Sequence, residues 1–104
     1  MCPTDNDLFV VDELVQRCMG NEELAQQLMQ LYTSTVKDEF GKLQQLMESS
    51  DFTGAQSQAH RMKGSANNVS AKVIGEAAAG VEQELKNGNT PELTELERLI
   101  TQIP

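Results

Sequence analysis

The sequence predicts an all-α fold, an antiparallel up-down-up-down four-helix bundle with a short additional N-terminal helix. Apolar residues recur at spacings of three and four from one end of the chain to the other, and no segment alternates as a strand does. The helical segments are joined by short turns, which favours antiparallel neighbours. A length of 104 residues suits a single domain, so residues 1–104 are predicted to form one bundle.

Two helices are predicted in the first half of the chain. A short helix near residues 6–18 is indicated by the spacing of Leu8, Val11, Leu14, Val15 and Cys18, and Gly20 ends it. Asn21 is a good N-cap for a long second helix, and Glu22 and Glu23 suit the positive end of its dipole. The predicted apolar stripe of this long helix comprises Leu24, Leu28, Leu31, Tyr32, Val36, Phe40, Leu43, Leu46 and Met47.

Three more helices are predicted after the turn and cap at residues 49–51. The third runs from Phe52 to about Val69, with a mostly small apolar face of Phe52, Ala55, Ala59, Met62, Ala66 and Val69. The fourth runs from about Ala71 to Lys86 and ends in a left-handed cap at 87–89; its apolar side is Val73, Ile74, Ala77, Ala78, Val81 and Leu85. Thr90 is the predicted cap of the fifth, with Pro91 in its first position and an inward face of Leu93, Leu96, Leu99, Ile100 and Ile103.

Composition argues against several classes of function. The chain has 8 Lys and Arg against 16 Asp and Glu, a formal net charge of −8, which disfavours nucleic acid and anionic membrane surfaces as partners. No apolar run approaches the roughly 20 residues that cross a bilayer. The N-terminus resembles no secretory signal, so a cytoplasmic location with reduced thiols at Cys2 and Cys18 is expected. One histidine and two isolated cysteines predict no metal site, and the scattered glycines form no phosphate-binding loop for ATP.

The only histidine, His60, falls on a polar part of the third helix. It follows Ala59 and precedes Met62 by two positions, so it lies off the core axis; its neighbours at helical spacing are Gln56, Ser57, Lys63, Gly64 and Asn67. Residues 52–75 contain three basic residues and no acidic one, whereas the rest of the chain has 5 basic and 16 acidic residues. This basic window indicates a small anion-accepting site. An ordinary surface histidine is the alternative.

Gly64 lies one turn from His60, inside the predicted third helix. Glycine there is less favourable than alanine by about 1 kcal/mol, so its presence calls for a reason. Two readings stand side by side. Gly64 clears space over the imidazole, or it lets the helix pack closely against another.

The segment from Ala59 to Ala66, AHRMKGSA, resembles the signature of histidine-containing phosphotransfer (HPt) domains, a helical H-x-x-K-G followed by small residues. Ala71, Ile74 and the pair Val81-Glu82 fall where that family shows small, aliphatic and aliphatic-Glu positions. The resemblance covers nearly the whole chain. The chain departs from the family at Ser70, where a glycine is usual near the turn between the two helices.

The resemblance implies a phosphoryl carrier that moves a phosphoryl group between receiver-domain aspartates in a two-component phosphorelay. Such a carrier has no ATP site and no turnover of its own, so it is not an enzyme. His60 would be phosphorylated through a neutral ring nitrogen, Lys63 would stabilise the phosphoryl group, and Gly64 would give docking clearance. Glu82 would hold the other ring nitrogen, unless it is a solvated charge on the helix face.

The implied partners are the receiver domains of response regulators or hybrid sensor kinases. The magnesium ion of the reaction would belong to the receiver, so no cofactor is expected on this chain. Arg61, Gln56 and Asn67 are the expected partner contacts, and the protein is expected to be a monomer. The alternative function is a non-catalytic helical-bundle interaction or scaffold module, which would bind a partner without accepting phosphate.

Overall fold

The computed structural model describes residues 9–103, which form five helices and no strand. These are α1 (Val11–Arg17), α2 (Glu22–Glu48), α3 (Phe52–Asn68), α4 (Lys72–Lys86) and α5 (Thr94–Thr101). Each helix packs against the next along the chain, and α5 returns to contact α2. The 27-residue α2 sets the long dimension of a molecule measuring 42 × 22 × 19 Å. The predicted all-helical bundle is therefore confirmed.

Helix α1 is shorter than the sequence predicted, because the residues before it serve other contacts. The N–H of Val10 donates to the carbonyl of Ser70 at 2.8 Å, and Phe9 is buried with its ring edge-on to Tyr32. Residues 6–8 of the predicted helix lie outside the described residues. The chain leaves α1 with positive φ angles of 57° at Met19 and 84° at Gly20, so the predicted stop is confirmed.

Helix α2 begins as predicted, since Asn21 Oδ1 accepts the N–H of Leu24 at 3.0 Å. Its predicted stripe is too wide. Leu24 is 41% exposed and Leu31 65% exposed, whereas the residue that follows each of them, Ala25 or Tyr32, is buried. One position corresponds to about 100° around a helix, so both leucines lie at the margin of the buried face.

Helices α3 and α4 approach each other closely because small residues line their contact. Ala55, Ala59 and Ala66 are fully buried, and a Cβ added at Gly75 of α4 would lie 2.6 Å from Asn67 Oδ1. The predicted cap at Asp51 is confirmed, with Oδ1 accepting the N–H of Gly54 at 3.0 Å. Phe52 and Val73 are 41% and 39% exposed, against the prediction, and each lies in the first turn of its helix.

The predicted start of the fifth helix at Thr90 and Pro91 is wrong. The helix begins at Thr94, with Leu93 in the N-cap position. The preceding segment is held against α4, because the N–H and the Nδ2 of Asn89 donate to the carbonyl and carboxylate of Glu84 at 2.9 and 3.0 Å. Residues 90–93 follow without helical structure, and Leu93 packs against the apolar core. The left-handed cap is confirmed at Gly88, which has a φ of 82°.

The main apolar core contains residues from α2, α3, α4 and α5, and a smaller cluster lies between α1 and the start of α2. The largest fully buried side chains of the main core are Val36, Leu43, Met62, Ile74 and Leu96. The smaller cluster consists of Leu14, Cys18 and Ala25. Across residues 9–103, no helix combines the length and the apolar character needed to span a membrane.

Candidate functional site

His60 lies in the middle of α3 and contacts Glu82 of α4. The distance from its Nδ1 to Glu82 Oε2 is 2.9 Å, and 66% of the histidine side chain is exposed. An ionised carboxylate can only accept a hydrogen bond, so the neutral ring carries its hydrogen on Nδ1. The lone pair of the neutral ring is then on Nε2, which makes Nε2 the nucleophilic nitrogen.

Glu82 is a buried carboxylate, with 6% of the residue exposed. Besides His60, two ammonium groups reach it: Lys63 Nζ lies 3.3 Å from Oε1, and Lys86 Nζ lies 3.4 Å from Oε2. Burial raises the pKa of Glu82, but the contacts from Lys63, His60 and Lys86 outweigh burial and leave that pKa below its usual value. An ionised carboxylate therefore lies beneath the ring, and the alternative of a solvated surface charge does not fit this burial.

Lys63 is folded back onto Glu82 rather than extended into solvent. It lies one turn after His60 on α3, and its side chain is 34% exposed. His60 and Lys63 thus share one carboxylate, the ring on Oε2 and the ammonium on Oε1. To reach a phosphoryl group on Nε2, the ammonium of Lys63 would have to exchange Glu82 for that group.

The other predicted contact residues surround His60 on the same helix. Gly64 is exposed, and an added Cβ would meet no other atom within 4 Å, so no neighbouring helix requires a glycine there. Arg61 and Asn67 are exposed and Gln56 is half-buried. The structure thus brings His60, Lys63 and Glu82 into contact and leaves the remaining four around them on α3.

A second glutamate, Glu39 of α2, lies on another side of α3. Its Oε2 accepts the hydroxyl of Ser65 at 3.2 Å, and its backbone carbonyl accepts Gln58 Nε2 at 3.0 Å. Burial raises the pKa of Glu39, and the Ser65 hydroxyl and the charge of Arg61 oppose that rise only in part. The two glutamates against α3 therefore have opposite pKa shifts, because only Glu82 is in contact with ammonium groups.

Sequence reasoning missed Lys86, although a signal for it exists. Lys86 follows Glu82 by four positions on α4, and such pairs meet on a helix surface. Helical spacing from His60 indicates neighbours on α3 alone, whereas Lys86 lies on α4. It becomes a site residue only through the burial of Glu82.

No periodicity or capping pattern in the sequence indicates which contacts hold the turn after α3. Ser70 is fully buried and has a φ of 57°, a region that favours glycine. Its hydroxyl donates to Glu13 Oε1 at 3.0 Å, and its carbonyl accepts the N–H of Val10 at 2.8 Å. Ser70 stands where the family that the chain resembles usually has glycine, and contacts to the segment that carries α1 accommodate it.

Helix α1 also caps the C-terminal end of the helix that carries His60. Arg17 donates from its guanidinium to the carbonyl of Asn67 at 2.8 Å and pairs with Glu13 at 3.3 Å. Lys72 of α4 lies 2.7 Å from the other carboxylate oxygen of Glu13. These residues (Glu13, Arg17, Ser70 and Lys72) are called the α1 clasp below.

One known family matches most of the chain. A family model described as Hpt domain matches residues 27–104. The matched span holds every residue of the site, and α1 lies before it. No curated protein and no solved structure matches the chain. Within the described part of the chain, no cluster of three or more His, Cys, Asp or Glu side chains could hold a metal ion.

Proposed function

Because the chain belongs to the Hpt domain family, we propose that it relays a phosphoryl group between receiver-domain aspartates in a two-component phosphorelay, with His60 as the phosphoryl carrier. One observation carries this proposal: the ring of the only histidine is exposed, and a buried carboxylate holds its Nδ1 at 2.9 Å. That contact orients Nε2 as the nucleophile. The family match also supports a histidine phosphotransfer role.

The transfer is a displacement at phosphorus. The lone pair of Nε2 forms the P–N bond while the P–O bond to the receiver aspartate breaks, and the aspartate leaves as a carboxylate. Nδ1 keeps its hydrogen, so the phosphorylated ring is an imidazolium. Its positive charge lies against the Glu82 carboxylate, which stabilises it through a charge-assisted hydrogen bond. No proton has to leave the site, and the same steps in reverse pass the phosphoryl group onward.

The remaining roles follow from position. Lys63 stabilises the phosphoryl oxygens, and Gly64 leaves clearance for the receiver. Arg61, Gln56 and Asn67 contact that partner. The receiver brings the magnesium ion, so this chain acts as a carrier without a cofactor, an ATP site or turnover of its own. We place the protein in the cytoplasm as a monomer, with α2–α5 as an antiparallel up-down-up-down bundle and α1 over one end; the short connections between α2, α3 and α4 support this arrangement.

The proposal is tested by incubating the protein with a receiver domain carrying a labelled aspartyl phosphate. Wild type should gain label that acid removes and base does not. His60→Gln should gain none, with a helical circular dichroism spectrum equal to that of wild type. Label on His60→Gln would contradict the proposal, since no other histidine exists. A wild-type protein that binds receivers tightly and never takes label would instead be the scaffold module.

A further inference from the structure

Glu82 receives its two ammonium groups from different helices. Lys63 comes from α3, the helix that carries His60, whereas Lys86 comes from α4, one turn after Glu82 itself. They also meet different oxygens. Lys63 is on Oε1, and Lys86 shares Oε2 with the Nδ1 of His60. The two lysines are therefore not equivalent, because Lys86 acts on the oxygen that orients the ring.

A phosphoryl group on Nε2 changes what these ammonium groups face. It adds up to about two negative charges beside a carboxylate that is already buried. Lys63 is one turn from the ring on the same helix, so it is the cation suited to move to the phosphoryl oxygens. If Lys86 moved too, Glu82 would keep only the ring as a partner, and a buried carboxylate with few partners is unfavourable.

We propose that Lys86 is a positioning residue for phosphotransfer: it stays on Glu82 while Lys63 moves to the phosphoryl group, and so keeps the Nδ1–H of His60 bound to Glu82 throughout. The effect of Lys86 on phosphotransfer rests on the proposed function. The effect of Lys86 on the His60–Glu82 contact does not, because that contact exists in the unphosphorylated protein and can be measured there.

The first experiment therefore needs no partner. Nitrogen-15 NMR of the imidazole, at a pH where the ring is neutral, reports which nitrogen carries the hydrogen. Lys86→Gln should lower the population of the Nδ1–H tautomer, and Lys86→Arg should restore it. Lys72→Gln is the matched control, since Lys72 is 54% exposed against 50% for Lys86 and also pairs with a glutamate, but with Glu13. It should leave the tautomer unchanged.

The second experiment measures transfer from a phosphorylated receiver. Lys86→Gln should slow the transfer by about 2- to 5-fold, the range expected for a partly exposed ion pair. The loss should be larger in a Lys63→Ala background, because Lys86 is then the last ammonium group on Glu82. Equal losses in both backgrounds would mean that the lysines act independently, which overturns the division of roles.

The two experiments separate this inference from the proposed function. An unchanged tautomer in Lys86→Gln overturns the inference, even if His60 takes label normally. A shifted tautomer in a protein that no receiver can label keeps Lys86 as the residue that sets the His60–Glu82 contact and removes the proposed phosphotransfer. A tautomer that shifts equally in Lys72→Gln also overturns the inference, because the effect would then follow net charge alone.

Discussion

In the proposed transfer, Glu82 would do more than offer a hydrogen-bond acceptor, because its charge would face a ring that becomes cationic on phosphorylation. Glu82→Gln keeps a carbonyl oxygen for Nδ1–H but removes the charge that also anchors Lys63 and Lys86. We expect transfer to fall by about tenfold, since a charge-assisted hydrogen bond is roughly twice as strong as a neutral one and ~1.4 kcal/mol corresponds to tenfold in rate. Initial rates of label transfer measure this.

Glu84→Gln is the control for Glu82→Gln, because it removes one exposed carboxylate from the same helix. It should transfer at the wild-type rate. If Glu82→Gln does so as well, the charge of Glu82 is irrelevant and only its hydrogen bond matters.

Substitutions at Gly64 should affect the stability of the fold and the docking of the receiver in opposite directions. Gly64→Ala should raise the free energy of unfolding by up to about 1 kcal/mol, because the added Cβ meets no other atom within 4 Å and alanine favours the helix. Gly64→Gln should also fold, yet hold the receiver away from His60. A displacement of about 1 Å can lower a rate ~100-fold, so transfer should fall steeply. Thermal melts and transfer rates measure the two effects.

The matched control for Gly64 is Gly80 of α4, which is exposed inside a helix and likewise has no other atom within 4 Å of an added Cβ. Gly80→Gln should fold and transfer normally. Wild-type transfer by Gly64→Gln would show that the receiver does not dock over this part of α3.

Much of the site could be predicted from the sequence because it is local. His60, Lys63 and Gly64 lie within five positions of one helix, so their spacing alone places them together. Glu82 lies 22 positions from His60, and only the family resemblance pointed to it. The contact between Ser70 and Glu13 joins residues 57 positions apart, and no pattern of periodicity or capping reports such a pair.

Helix α1 should depend on pH through the α1 clasp. Hydrogen bonds from Lys72 and Ser70 hold the pKa of Glu13 below its usual 4.5. A lowered pKa means that this carboxylate stabilises the fold fully above 4.5 and loses its effect as the pH falls through the folded-state value. Glu13→Gln should therefore melt below wild type at pH 7, and the difference should vanish as the pH falls well below 4.5.

Thermal melts between pH 7 and 3 measure the contribution of Glu13, and Asp12→Asn, in the same turn of α1, controls for loss of charge. Hydrogen exchange of the α1 amides should accelerate in Glu13→Gln and not in Asp12→Asn. A melting difference that persists unchanged at pH 3 would mean that the carboxylate charge of Glu13 contributes nothing.

Helix ends were predictable where a side chain caps them and unpredictable where tertiary contacts decide. The side chains of Asn21 and Asp51 each accept the backbone N–H of the residue three positions later, so local capping determines where α2 and α3 begin. Thr90 and Pro91 predict the start of α5 by the same local rules, yet Asn89 is hydrogen-bonded to Glu84 and the helix begins only at Thr94. The predicted buried face of α2 has a similar limit. Leu31 fits the apolar periodicity but is exposed, because periodicity does not reveal how much of the face a partner helix covers.

The whole molecule should be a monomer in solution. Its net charge of −8 opposes self-association, and the most exposed large apolar side chains among residues 9–103, Met19 and Leu31, lie on different segments. Small-angle X-ray scattering should give the mass of one chain and a radius of gyration slightly above the 14.0 Å of the Cα atoms. A dimeric mass that Leu31→Glu returns to one chain would overturn the prediction and locate the interface on α2.

The edge-on contact between Phe9 and Tyr32 gives this protein an intrinsic optical reporter. Tyr32 is the only tyrosine and there is no tryptophan, so the near-ultraviolet dichroism and intrinsic fluorescence of the folded chain come largely from one buried ring. That ring reports whether the segment before α1 is seated on α2. Every variant proposed for His60 and its neighbours can thus be checked for native packing on the isolated protein, before the receiver is added and without a dye.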